Sequence, residues 1–173
     1  MAYAAGILLL SWYKGRLYTL LGKDYYGAYS DFGGKNDEAD RRNVFVTAAR
    51  ETYEETCGAI CSISEWIYKL YDVKVIRSLS YTNKPYYMHV VFIKYDEKIC
   101  EDFDNILTYI QHIPNLGKFK EKKQVRWFLM ADVLKQRVEL RNVFQRTIEN
   151  NKHEILEIAY KDKSRNTFYN NEY

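Results

Sequence analysis

Arg50-Glu51 and Glu54-Glu55 are separated by only two residues, and they follow the glycine pair Gly33-Gly34 and precede Gly58. If Asn43 to Thr56 is a helix, the helical period puts Glu51, Glu54 and Glu55 on one stripe and Phe45, Ala48, Ala49 and Thr52 on another. Glu51 and Glu55 are then like charges at i,i+4, which weakens a helix by about 0.2–0.5 kcal/mol before Glu54 adds its own repulsion. Arg50 relieves part of this through Glu54, but one cation does not neutralise three carboxylates. A divalent cation does. Hard oxygen donors select Mg²⁺ or Mn²⁺, ions that share their shells with phosphate oxygens. Phosphate chemistry is therefore the first hypothesis. The charge pattern by itself describes a solvated acidic helix face equally well.

These residues need a scaffold. Gly6 to Trp12 and Arg16 to Gly22 flank Tyr13-Lys14-Gly15 and read as a hairpin. A loop rich in Tyr and Gly, Lys23 to Ser30, leads to Asp31-Phe32-Gly33-Gly34, where paired glycines allow backbone geometry or close approach that a side chain would block. Gly58 stands where a helix C-terminal glycine is expected. Lys74 to Tyr81 and Tyr86 to Tyr95 flank Thr82-Asn83-Lys84-Pro85 as a second hairpin. A short helix over Glu101 to His112, a basic loop and a strand at Val125 to Met130 follow. An amphipathic helix from about Val138 to Tyr160 comes last, with Phe144, Ile148, Ile155 and Ile158 as its buried stripe. The polar run beyond it reads as a frayed tail. The expectation is one α/β domain over residues 1–161 and a tail over 162–173, with no repeat or linker; this pattern leaves the topology open.

A length of 173 residues suits one domain with a core of its own, and 47% apolar with 28% charged residues excludes disorder for most of the chain. The net charge of +3 is modest, but Lys118, Lys120, Lys122, Lys123 and Arg126 cluster, as do Lys161, Lys163 and Arg165. Such runs suit a polyanion, or are simply solvated lysines. Cys57, Cys61 and Cys100 have no CxxC spacing, which argues against zinc and disulfide frameworks. The apolar stretch Ala4 to Trp12 is too short to span a membrane and lacks the basic leader of a signal peptide, so a reducing, cytoplasmic compartment and no membrane partner are expected. Tyr25, Tyr26 and Tyr29 offer stacking faces for a base or ribose, or core packing. His89 and His112 read as core or surface histidines.

In this order the residues resemble the Nudix hydrolase box, G-x5-E-x7-R-E-U-x-E-E-x-G-U, where U is a bulky apolar residue. Gly34, Arg50, Glu51, Glu54 and Glu55 match it directly. Three departures stand beside the match. Asp40 occupies the first glutamate position, with Glu38 as the alternative, and nine residues separate Asp40 from Arg50 where the family has seven. Thr52 replaces the apolar residue, and Cys57 is an extra residue before Gly58. The resemblance has specificity over about 25 residues. The strand pattern Gly6 to Leu10, and Glu121 six residues before Trp127, also look like family features.

The resemblance implies an α/β/α sandwich with a mixed sheet and a loop-helix-loop catalytic motif, and metal-dependent hydrolysis of a nucleoside diphosphate linked to another moiety. It implies Glu54 and Glu55 as leading Mg²⁺ or Mn²⁺ ligands, Glu51 as a third ligand or base, and Arg50 as the residue that orients a glutamate. The base stays open among Glu51, Glu55 and Glu121, the last of which also reads as a plain partner for neighbouring lysines. Gly33 and Gly34 would shape the phosphate-facing loop, and Lys35 would either contact phosphate or face solvent. Small nucleotides (an NTP, a dinucleoside polyphosphate, a nucleotide sugar) come first as substrates and capped RNA second. A silent nucleotide or RNA sensor is the reading of another class. Family members are often dimers, so a homodimer is among the assemblies the resemblance implies.

Overall fold

β1 (Ala4–Tyr13) and β2 (Arg16–Asp24) form the expected hairpin, with Leu9 opposite Leu20 and Tyr13 opposite Arg16. Its two-residue turn places Lys14 at φ 48° and Gly15 at φ 75°, the left-handed pair that matches strand twist. The computed structural model describes residues 2–80 and 82–169, with only the backbone described for residues 166–169. After β2 the chain doubles back through β3 (Tyr29–Ser30), which pairs with β2, and β4 (Phe32–Lys35), which pairs antiparallel with the first half of β1. β5 (Val75–Leu79) and β6 (Pro85–Phe92) form the second expected hairpin; Tyr81 lies outside the described residues. β6 runs parallel to β1 from Ala4–Tyr86 to Leu10–Phe92, and β7 (Lys122–Leu129) closes antiparallel onto β2. The result is a seven-stranded mixed sheet ordered β3-β2-β1-β6-β5, with β4 against β1 and β7 against β2.

Helices cover both faces. Alternation along β1 sends Ala5, Ile7 and Leu9 to one core and Leu8 and Leu10 to the other. The first core is closed by α1 (Val44–Glu55), α2 (Ile63–Leu70) and α3 (Lys98–Ile110), through Ala48, Ala49, Trp66, Leu70 and Phe103. The second is closed by α4 (Met130–Leu134) and α5 (Asn142–Tyr169), through Met130, Val133, Phe144, Ile148 and Ile155. A strand buried on both faces reads as an unbroken apolar run, which is how Gly6 to Leu10 reads. The architecture is the expected α/β/α sandwich.

Three local differences are informative. α2 was not anticipated, although Ser62 and Glu65 form a capping box at its start, a signal the sequence carries. α5 begins at Asn142, later than Val138, and continues to Tyr169, so residues 162–169 are helix and not a frayed tail; residues 170–173 lie outside the described residues. The Trp12 indole N–H donates to the Ala159 carbonyl at 3.0 Å and the Lys163 ammonium lies 4.4 Å from the Trp12 ring, which ties this extension to the hairpin. At the end of α1 Gly58 is left-handed as expected, at φ 68°, but the left-handed backbone begins one residue earlier. Cys57 adopts φ 53°, its N–H donates to the Glu54 carbonyl, and Gly58 N–H donates to the Tyr53 carbonyl, so a Schellman turn is built on a cysteine. Among the described residues no helix is long and apolar enough to cross a membrane, and Cys57, Cys61 and Cys100 are free.

Candidate active site

The acids of α1 are positioned from both ends. At its start, the Asn43 side chain accepts from the backbone N–H groups of Phe45 and Val46. Just before it, Asp40 ends a short turn (Glu38–Asp40), buried, and accepts from the Asp37 N–H and the Thr47 hydroxyl, both at 2.8 Å. Arg50 meets Asp40 with both edges of its fork, Nε to Oδ1 and Nη2 to Oδ2, each at 2.9 Å. Asp40, and not the exposed Glu38, is thus the acid that Arg50 grips. The two extra residues before Arg50 are absorbed where Arg41 and Arg42 take consecutive left-handed conformations, at φ 49° and 59°. Thr52 keeps its polar atom satisfied in the core by donating to the Phe32 carbonyl at 3.4 Å.

Arg50 Nη1 lies 2.9 Å from both Glu51 Oε1 and Glu54 Oε2, and Nη2 also donates to the Lys35 carbonyl at 3.0 Å. The guanidinium is fully occupied inside the protein, which suits an orienting role and leaves nothing for a ligand. Binding to Asp40 and the negative charges of Glu51 and Glu54 raise its pKa further despite its burial. Burial pushes the Asp40 carboxyl up, but its bonds to Arg50, the Asp37 N–H and Thr47 outweigh this and leave it below its usual value.

The glycines serve close approach. A Cβ on Gly34 would fall 2.4 Å from Glu51 Oε2, and one on Gly33 would fall 2.6 Å from the Gly6 Cα across the β1–β4 pair. Gly33 N–H donates to Glu55 Oε2 at 2.8 Å. The acidic stripe therefore faces the β4 backbone, not solvent: Glu51 is 8% and Glu55 5% exposed, and only Glu54 is half-buried. The alternative of a solvated acidic face is excluded by this packing. Burial raises Glu51 to about 7, with Arg50 opposing and the charges of Glu54 and Glu121 adding to it. Burial likewise raises Glu55 to about 7, opposed by Lys122 and the Gly33 N–H.

Glu51, Glu54, Lys35, Lys118 and Glu121 line one open cleft of ≈ 420 Å³, together with Arg50 and the Asn36–Glu38 turn. Glu55 does not. Its Oε1 lies 3.3 Å from the Lys122 ammonium, which is 2% exposed and also donates to the Ser30 hydroxyl at 2.8 Å. Lys122 was read from the sequence as part of a basic run, and it is the member of that run that is buried, whereas Lys118 and Lys123 are exposed. Lys118 pairs with Asp37 and approaches Glu54, the Lys120 ammonium donates to the carbonyls of Gln111 and Ile113, and Arg126 pairs with Asp104. Lys118, Lys120, Lys122 and Arg126 thus go to separate partners, while Lys123 stays exposed. Behind the cleft, the Tyr86 hydroxyl donates to the buried Asp31 carboxyl at 2.5 Å, and burial raises Asp31 to about 6 against the pull of Tyr86 and Lys122. Neither partner was singled out from sequence, because a lone Asp and a lone Tyr carry no pattern.

Tyr29 belongs to the opposite core, edge-on to Phe128, and is no stacking face for the cleft; Tyr25 and Tyr26 are exposed and Tyr26 lines a separate groove with Gln136 and Arg141. His89 is a core histidine with Nδ1 at 3.1 Å from the Gly6 carbonyl, and His112 is exposed.

The cleft's donor set fits a hard divalent cation in kind: Glu51, Glu54 and Glu121 are carboxylates around one space. Among the described residues no three potential ligands already converge on one point, so binding requires the half-buried Glu54 and the exposed Glu121 to turn toward it.

No family model and no curated protein matches the sequence. Solved structures do match. The Nudix domain of Shewanella oneidensis NrtR, in a complex with ADP ribose, aligns over 88% of this chain and 87% of its own at TM-score 0.58 and 14% identity. The C. elegans Ap4A hydrolase aligns over 93% and 97% at TM-score 0.53 and 14% identity. The M. smegmatis Nudix hydrolase RenU aligns over 90% and 87% at TM-score 0.52 and 14% identity.

Proposed function

We propose that this chain, which has the Nudix fold, hydrolyses a phosphoric anhydride bond in a small nucleotide, with Mg²⁺ or Mn²⁺ as cofactor. One observation carries the reading: Arg50 holds Glu51 and Glu54 side by side at the floor of a cleft whose rim brings Glu121 to the same space. Glu54 and Glu121 would hold the cation. Bound there, it would neutralise phosphate oxygens and lower the pKa of a coordinated water. Glu51 is the residue we assign as proton acceptor, because burial raises it to about 7 and a general base works best near the operating pH. Glu55 is withdrawn from that role by its two internal partners. Arg50 fixes the rotamers of Glu51 and Glu54 and does not touch substrate. Lys118, on the cleft rim, is better placed than Lys35 to meet a phosphate, since its ammonium already reaches the carboxylates of Asp37 and Glu54.

Small nucleotides rank above capped RNA because the basic run that favoured RNA is dispersed, with Lys122 buried against Glu55 and Lys120 and Arg126 paired elsewhere. That the neighbours include a domain bound to ADP ribose and an Ap4A hydrolase supports the same class. The test is a panel of NTPs, dinucleoside polyphosphates, ADP-ribose and capped RNA with Mg²⁺ or Mn²⁺, products resolved by mass. Cleavage at an anhydride bond, abolished by Glu54→Gln in a folded protein, is expected. A wild-type protein inert across the panel with both metals overturns the proposal.

A further inference from the structure

Lys122 reaches Glu55 by a device built for it. Along β7, residues pair with β2 in simple register from Leu129 back to Gln124, and then Asp24 pairs with Lys122, so Lys123 is an extra residue on β7. That bulge shifts Lys122 by one place and turns its side chain onto the face of Val125, toward α1. Its stem then crosses Gly22 of β2, where a Cβ would lie 2.9 Å from Lys122 Cδ, so only glycine leaves room for it. At the end of this path the ammonium meets the Glu55 carboxylate and the Ser30 hydroxyl, and Asp31 is the other acid whose pKa it pulls down. An ammonium 2% exposed does not meet a phosphate in the cleft, so its task lies inside the protein.

Resting on the metal-dependent reading above, we propose that Lys122 is a built-in counter-cation that keeps Glu55 out of the metal shell, so that the cleft takes a single divalent cation. With Oε1 facing Lys122 and Oε2 accepting from Gly33 N–H, the Glu55 carboxylate has both oxygens engaged. A dication entering at Glu55 would have to displace a buried ammonium, or lie against it and be repelled. Glu54 also pairs with Arg50 and is approached by Lys118, but it and Glu121 line the open cleft, where a dication enters without displacing a buried ammonium. The positive charge that a second metal would supply beneath the substrate is thereby permanent and comes from the chain itself.

The test is a Mn²⁺ titration of the full chain at neutral pH without nucleotide, free ion being followed by electron paramagnetic resonance and folding by circular dichroism. Wild type is expected to bind one Mn²⁺ and E54Q to bind it at least about tenfold more weakly. E55Q keeps the single ion, K122R stays at one, and K122M, with Glu55 released, gains a second. Wild type binding two ions with one lost in E55Q overturns the proposal while leaving the hydrolase reading intact, as does a folded K122M that still binds one. If K122M does not fold, the doubly neutral K122M/E55Q decides: one ion retained supports the proposal and none overturns it. A wild type that binds no Mn²⁺ overturns both readings together.

Discussion

Glu54 and Glu55 are adjacent in sequence and opposite in circumstance. Glu54 is half-buried, shares Arg50 Nη1 with Glu51 and faces the cleft; Glu55 is buried, capped by a backbone N–H and paired with a lysine from the far end of the chain. One residue's rotation along α1 separates them, and that rotation decides which cation each meets. Surrounded by the same backbone, one carboxylate lines the cleft and the other is held by partners inside the protein.

The variant that breaks the cleft side hardest is Glu51→Gln. Loss of the proposed proton acceptor is expected to lower kcat/KM by about 10²–10⁴-fold on whichever nucleotide is preferred, with the circular dichroism spectrum unchanged. Next comes the buried side. Lys122→Met leaves Glu55 without its ammonium and is expected to cost about 3–5 kcal/mol in urea unfolding, as breaking a buried ion pair does. K122M/E55Q should recover a large part of that loss; a double variant as unstable as the single one would mean that Lys122 stabilises through its stem and not its charge. Between the two regions stands Arg50. Arg50→Lys keeps the charge and loses the fork on Asp40, for an expected cost of about 1.5–3 kcal/mol together with a fall in kcat.

The mildest test changes no residue. Glu51 and Glu55 are both raised from the ordinary 4.5 to about 7, so the folded state holds protons there that the unfolded chain releases. Their favourable contribution is fully present below about pH 4.5 and is lost as pH rises through about 7. Metal-free protein should therefore show a Tm that declines across this window, less steeply in E51Q. On the proposed reading, in which Mg²⁺ binds the ionised cleft, its stabilising effect should be greater at pH 8 than at pH 5. Equal Mg²⁺ shifts at both pH values would argue that the cleft carboxylates are already ionised without it.

The helix and its acids were legible because periodicity and charge are local. The strand run Gly6 to Leu10 was legible because burial on both faces leaves an unbroken apolar stretch. Asp40 against Glu38 was not decidable locally, since both lie in the same polar segment and only the turn at Asp37 and the fork of Arg50 select one. The burial of Lys122 was hidden for a related reason: spacing along the chain does not say which face of β7 a lysine takes, and a one-residue bulge reverses it.

By itself the sequence determined the α/β class, the acidic helix and the order of residues that resembles the Nudix box, since each depends on neighbours within a few positions. Only the tertiary structure decided that the acidic face is buried against glycines of β4, that Glu121 joins the cleft, and that Lys122 claims Glu55. Those pairings join residues far apart in the chain, and their geometry is set by strand register and by the missing side chains of Gly22, Gly33 and Gly34.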